Sequence, residues 1–166
     1  RNSRLNKSFQ SLEELDINGN RLESFNNGIL QLKNLKKLTI SSNTISQLPD
    51  LSSLSSLEFF AFNGNRLSEI PESIFSLLKL KILDFGANPN IKIISDKINK
   101  LQHLESLDIN GNDIEVLPSE FSQLKNLLLL DVSRNPLKNH LEIITKLSKL
   151  KSLDISWNPD EPITLP

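Results

Sequence analysis

The side chains of this chain with the most capacity for chemistry are carboxylates, and they recur at one interval. Asp84, Asp108, Asp131 and Asp154 are separated by 24, 23 and 23 residues. Like charges brought side by side in this way can attract a basic group, and in a loop they can wrap a cation. The two histidines, His103 and His140, are of a type that binds metals and moves protons near neutral pH. They do not combine into a metal site: His140 reads as a half-buried, hydrogen-bonded side chain, and His103 lies on the return arc of a different repeat. Other catalytic constellations are missing: there is no cysteine nucleophile, no Gly-x-x-x-x-Gly-Lys-Ser/Thr loop, no His-Glu-x-x-His and no Gly-x-Gly. The serines have no base near them in sequence. The chain is therefore read as non-enzymatic, with no catalytic residue, no cofactor and no metal.

The interval belongs to a larger pattern, Leu-x-x-apolar-x-apolar-x-x-Asn. Its leucines are Leu12, Leu35, Leu57, Leu80, Leu104, Leu127 and Leu150, and its asparagines are Asn20, Asn43, Asn65, Asn88, Asn112, Asn135 and Asn158. Both series step by 23, 22, 23, 24, 23 and 23 residues. A fixed period of this size marks a solenoid, in which each unit is too small to fold alone and buries its apolar face against its neighbours. The alternation places Leu107 and Ile109 inward and Ser106, Asp108 and Asn110 outward on a half-buried strand. Each asparagine falls where the chain leaves its strand. An amide side chain there can donate to and accept from backbone groups that the turn would otherwise orphan, so the column is expected to form a buried structural ladder. Asn18-Gly19, Asn63-Gly64 and Asn110-Gly111 would signal hairpins in isolation, but the period overrules that reading and leaves the glycines as bending points at the strand exit.

Ile114, Leu117 and Phe121 follow at spacings of three and four, which suggests a short helical or 3₁₀ arc behind the strand. Pro49, Pro71 and Pro118 limit how far such an arc extends. Repeat two is one residue short near Leu51, repeat four has one extra near Asn90, and His140 replaces the apolar residue of its column. Irregular convex loops are expected at all three places. Phe9 aligns with Leu32 and Leu124, which makes 1–11 a partial unit. One domain over 1–166 results, with repeats starting at 12, 35, 57, 80, 104, 127 and 150 and a C-terminal end at 159–166.

This pattern resembles the leucine-rich repeat family over nearly the whole chain, most fully in repeat five with Leu104, Leu107, Ile109, Asn112, Ile114, Leu117, Phe121 and Leu124. The Leu-Pro-x-x-Ile/Phe-x-x-Leu form is similar to the short bacterial and Ras-adaptor-like subclass. The implied fold is an α/β solenoid, a right-handed horseshoe with a parallel concave β-sheet and short 3₁₀, helical or irregular convex arcs. Steps of about 4.8 Å between strands make that face on the order of 29 Å long, enough for a protein epitope.

The concave columns supply the candidate binding residues. The first runs Glu14, Lys37, Phe59, Ile82, Ser106, Leu129 and Ser152, with Phe59, Ile82 and Leu129 as apolar anchors for a protein partner. The next holds Asp84, Asp108, Asp131 and Asp154, which could attract a basic partner or be a solvated column typical of such repeats; a flat strand face does not wrap calcium. Trp157 is either a cover for the last repeat or a binding hot spot.

Net charge of -1 and a pI near 6.2 give no footprint for nucleic acid or anionic membrane, and no apolar run approaches a membrane span. Disulfide-stapled caps are excluded by the absence of cysteine. The chain opens at Arg1 and has no methionine, so an initiating residue, with room for a leader or further repeats, is expected upstream. Asn6-Lys7-Ser8 fits a glycosylation acceptor, a triplet frequent by chance. Similarity to bacterial leucine-rich repeat proteins, including those of pathogenic spirochaetes, implies a secreted or surface protein that engages host factors. A substrate-recruiting segment of a larger enzyme and an intracellular adaptor remain alternatives. Exposed strand edges at the two ends leave the chain a monomer or a weak edge-paired oligomer.

Overall fold

The computed structural model describes residues 9–138 and 140–157. Every repeat contributes one three-residue strand: β1 (Glu14–Asp16), β2 (Lys37–Thr39), β3 (Phe59–Ala61), β4 (Ile82–Asp84), β5 (Ser106–Asp108), β6 (Leu129–Asp131) and β7 (Ser152–Asp154). They form one seven-stranded sheet in chain order, every pair parallel. Register follows directly from the repeat, so Leu15, Leu38, Phe60, Leu83, Leu107, Leu130 and Leu153 make one inward row. The strands are short, but their hydrogen bonding runs on. The Ile40 N–H donates to the Ala61 carbonyl at 2.9 Å and the Ser42 N–H to the Asn63 carbonyl at 2.8 Å, and the same pair of bonds recurs along the array.

The exit from each strand is built from two adjacent residues. The first, at Gly19, Ser42, Gly64, Ala87, Gly111, Arg134 and Trp157, lies in the left-handed region, with φ between 50° and 65°. The second is the ladder asparagine. Asn88 has no exposed surface; its Oδ1 accepts from the Leu67 N–H at 3.1 Å, and its Nδ2 donates to the carbonyls of Phe62, Phe85 and Gly86. Asn43, Asn65, Asn112 and Asn135 are likewise buried and bridge their own turn to a neighbouring repeat. Asn20 departs from this expectation. It is exposed, and its amide donates to the Asn18 carbonyl, because among the described residues no strand lies before β1 to cover it. Asn158 lies outside the described residues.

The convex side carries 3₁₀ turns at Asn27–Gln31, Glu72–Ser76, Asp96–Lys100 and Ser119–Gln123. Pro71 and Pro118 stand in extended conformation immediately before two of them. Repeat two, one residue short, has no such turn and closes instead through the Leu54 N–H donating to the Leu51 carbonyl at 2.9 Å. At the other two irregular places the expectation needs correction. The extra residue of repeat four is absorbed in the Pro89–Asn90 turn, so that Ile91 and Ile94 stay buried and the 3₁₀ turn after them is intact. Around His140 the backbone forms a short helix, α1 (His140–Ile144), which keeps Ile143 and Ile144 in the core.

Between sheet and arcs the leucine columns are buried, and repeats three and four add a run of aromatics. Phe60 and Phe62 have ring centroids 4.9 Å apart, and Phe62 stacks on Phe85 at 5.9 Å. At the ends this burial fades: Leu12, Leu15 and Ile17 are half-buried and Leu153 is 37% exposed, because a solenoid unit is covered only by its neighbours.

Two stability measurements follow. Asn88→Ala strips partners from one buried N–H and several carbonyls and is expected to cost about 3 kcal/mol in urea unfolding, whereas Asn20→Ala should cost under about 0.5 kcal/mol. A Cβ added at Gly111 meets nothing closer than 3.5 Å, so Gly111→Ala should lose only the left-handed preference, about 1 kcal/mol. A loss of several kcal/mol would mean that steric fit, not backbone conformation, sets this position.

Candidate functional site on the concave face

The parallel register aligns the outward residues as it aligns the core. Glu14, Lys37, Phe59, Ile82, Ser106, Leu129 and Ser152 lie opposite one another in sequence, as do Asp16, Thr39, Ala61, Asp84, Asp108, Asp131 and Asp154. Within the first row the apolar residues are not equally open. Leu129 is 47% exposed, while Phe59 and Ile82 are half-buried. Neighbours account for the difference. Phe59 has the Lys37 ammonium 5.3 Å from its ring centroid on one side and Ile82 on the other, whereas Leu129 stands between Ser106 and Ser152. Lys37 also approaches Glu14 at 3.9 Å, so this basic group is engaged at the first strands of the face.

The aspartates do structural work as well as carrying charge. In each case Oδ1 accepts the N–H two residues on: Asp16 from Asn18, Asp84 from Gly86, Asp108 from Asn110, Asp131 from Ser133 and Asp154 from Ser156. Asp108 also accepts the Asn110 amide at 2.6 Å, and Asp131 the Ser133 hydroxyl at 2.6 Å. This repeated turn closes the strand end from the outside, as the asparagine closes it from within. At Gly86 a Cβ would come within 2.6 Å of the Asn110 Nδ2, so the glycine makes room for the Asp108–Asn110 pair.

Burial separates the carboxylates. Asp84 is pushed up to about 6, first by desolvation and then by the charges of Asp108 and Asp131, against the opposing Gly86 N–H. Asp108 is raised for the same leading reason. Asp154, at the last strand, is held below the usual range by its Ser156 hydrogen bonds. Among the described residues no group of three or more His, Cys, Asp or Glu side chains converges to hold a metal ion.

Trp157 is 79% exposed, and so its ring does not cover the last strand. With Arg134, Asn135, Pro136 and Asp113 it borders an open depression of about 480 Å³. His103 is exposed in the turn before β5. One column escaped the sequence reading: Glu13, Lys36, Glu58, Lys81 and Glu105 alternate in sign along the residue before each of β1 to β5. Lys36 pairs with Glu13 at 2.9 Å and Lys81 with Glu58 at 2.7 Å. Alternation at the repeat period was the signal that could have found it.

The raised Asp84 gives a pH test. A carboxyl whose folded value exceeds its unfolded value of about 3.9 stabilises the protein fully below that value and loses the contribution as pH rises through about 6. Asp84→Asn keeps an oxygen for the Gly86 N–H and cannot ionise. It should raise unfolding free energy at pH 7.5 by on the order of 1 kcal/mol and leave it unchanged near pH 3.5. An equal gain at both values would show that charge is not the cause.

Comparisons with known proteins agree with this architecture. A family profile for a leucine-rich repeat region matches residues 74–163, and a second leucine-rich repeat profile matches residues 10–67. Among curated protein sequences no match is found. Among solved structures the chain is similar to an internalin (inlF) of Listeria monocytogenes, at 27% identity and TM-score 0.71, over 80% of this chain and 38% of that one. It is similar to a leucine-rich repeat protein of Leptospira interrogans at 25% identity and TM-score 0.50, over 89% of this chain and 50% of that one. A likeness in fold extends to the leucine-rich repeat domain of the type III effector XopL, with 23% identity and TM-score 0.79 over 95% of this chain and 55% of that one. The chain thus spans about half the length, or less, of these proteins. With profiles covering most of its repeats, the chain belongs to the leucine-rich repeat family.

Proposed function

We propose that this chain is a non-enzymatic module that binds a protein partner through its concave sheet. Members of the family generally mediate protein–protein interaction, and the observation that carries the more specific reading is the outward row of β3 to β6. Phe59 and Ile82 form a half-buried apolar pair and Leu129 is a more exposed anchor, all on a rigid hydrogen-bonded sheet that loses little conformational freedom on binding. Glu14, Lys37, Asp84, Asp108, Asp131 and Asp154 supply polar contacts around these anchors, and Trp157 extends the surface at the last repeat. No helix among the described residues is long and apolar enough to cross a membrane. The internalin and the type III effector among its structural relatives support a bacterial protein that acts at the cell surface or after secretion, on host factors.

The test is affinity capture from host matrix and serum proteins with the native chain and with a Phe59→Glu, Ile82→Glu, Leu129→Glu variant. Leu129→Glu alone serves as the milder variant, since its side chain is already largely in solvent. A partner held by the native chain should bind at least tenfold more weakly to both variants while circular dichroism stays unchanged. Equal binding to native chain and folded variants would move the site off this face.

A further inference from the structure

Resting on the concave-face reading, we infer that the occupant of this face is an amphipathic α-helix of a protein partner, with an apolar ridge flanked by lysine or arginine, lying across β3 to β6. Charge points to this occupant first. The outward positions of these four strands are Phe59 and Ala61, Ile82 and Asp84, Ser106 and Asp108, Leu129 and Asp131. None is basic. The nearest basic residue in either row, Lys37, is occupied by the Phe59 ring and Glu14. The flanking column of Glu13, Lys36, Glu58 and Lys81 is internally balanced by ion pairs. On a chain of net charge -1, this face therefore concentrates uncompensated carboxylates beside an apolar row. An acidic or neutral segment would leave them unmatched, whereas a flank of lysine or arginine would complement them.

The aspartates also retain acceptor capacity for a partner. Each commits Oδ1 to its own turn, and a carboxylate has a second oxygen to offer. Burial makes ionisation costly for Asp84 and Asp108, and an ammonium or guanidinium placed against them would offset that cost.

Spacing selects the helix. Successive strands present their outward residues at intervals of about 4.8 Å, while a helix rises about 5.4 Å per turn. One helical turn per repeat therefore keeps a ridge in step with the row from Phe59 to Leu129, over roughly ten helical residues. An extended segment places same-face residues about 6.6 Å apart, and it falls out of step after two or three repeats. The apolar and acidic rows are themselves about 6.6 Å apart along each strand, comparable with the roughly 5–6 Å between neighbouring ridges on a helix.

The experiment titrates three synthetic peptides of equal length onto the native chain at low salt. One is an amphipathic helix with a leucine ridge and a lysine flank, the second replaces each lysine by glutamate, and the third redistributes the leucines and lysines in strict alternation. The lysine helix should bind at least tenfold more tightly than either of the others. Its affinity should fall steeply with salt and at least tenfold in an Asp108→Asn, Asp131→Asn variant, in which the turn acceptors are retained. Equal binding of the glutamate helix, equal binding to the Asn variant, a preference for the alternating peptide or no binding of the lysine helix at 100-fold peptide excess would each overturn the inference. These failures stay distinct from failure of the concave site. A captured protein partner lost on Leu129→Glu but retained by the Asn variant would leave the site standing and remove only its basic helical occupant.

Discussion

A strand can leave a parallel sheet inside a solenoid only if the polar backbone groups of the bend find partners, and here the buried asparagine provides them. Asn88 shows the logic most fully. Its carbonyl oxygen takes the Leu67 N–H from the previous repeat, and its amide nitrogen serves carbonyls in both the previous repeat and its own. One side chain thereby joins two turns of the solenoid. Buried backbone groups left without partners would each cost roughly 1–3 kcal/mol, so shifting one repeat relative to the next is penalised at each of the buried asparagines. The one-for-one register of the strands, and with it every column on the concave face, depends on this constraint.

The same bend constrains the residue before the asparagine. A left-handed conformation there suits glycine, and Gly19, Gly64 and Gly111 meet it without cost, whereas Ser42, Ala87, Arg134 and Trp157 adopt it against their preference. That Ser42, Ala87 and Arg134 keep this φ means that the bonds of the buried Asn43, Asn88 and Asn135 and the strand ladder outweigh the local penalty. Outside the sheet, the aspartates complete the bend by accepting the N–H two residues on. Their column is thus a product of the turn as much as of any partner, and their charge is available to binding because only one oxygen of each is committed to it.

Much of the architecture was legible in the sequence because periodicity converts position into location. The inward leucines, the asparagine column and the outward rows are all readable from a count modulo the repeat, and Asn18-Gly19 loses its hairpin meaning on the same ground. What the count could not give is how each residue is treated by its neighbours. Phe59 and Leu129 occupy equivalent positions, yet Lys37 and Ile82 cover the first while serines flank the second. Asn20 carries the ladder residue without the ladder's burial, since that burial comes from a preceding strand. The helix at His140 was hidden by the polar residue at its start, although Ile143 and Ile144 behind it are placed to bury. The aspartate turns were written in the pattern Asp-x-Asn, Asp-x-Gly and Asp-x-Ser, a local signal overshadowed by the repeat period.

Equivalent positions with unequal environments also give the face its direction. Toward β1 the outward carboxylates of Glu14 and Asp16 have a basic neighbour in Lys37, which also lies over the Phe59 ring. From β4 onward each strand adds a carboxylate, and Ala61 beside Asp84 offers that side chain no polar cover on its other flank. The face therefore runs from a compensated, partly covered end to an acidic, more open one. A symmetric sheet of identical repeats could accept a partner in several registers, each shifted by one strand. Here a shift by one strand toward β1 would carry the partner's apolar residue from Leu129 onto Ser106 and a basic residue from Asp84 onto Ala61, losing an apolar contact and a charge pairing together, while a shift the other way would carry an apolar residue from Ile82 onto Ser106. Irregularity laid over a strict period is thus what allows a repeat surface to specify one docking position.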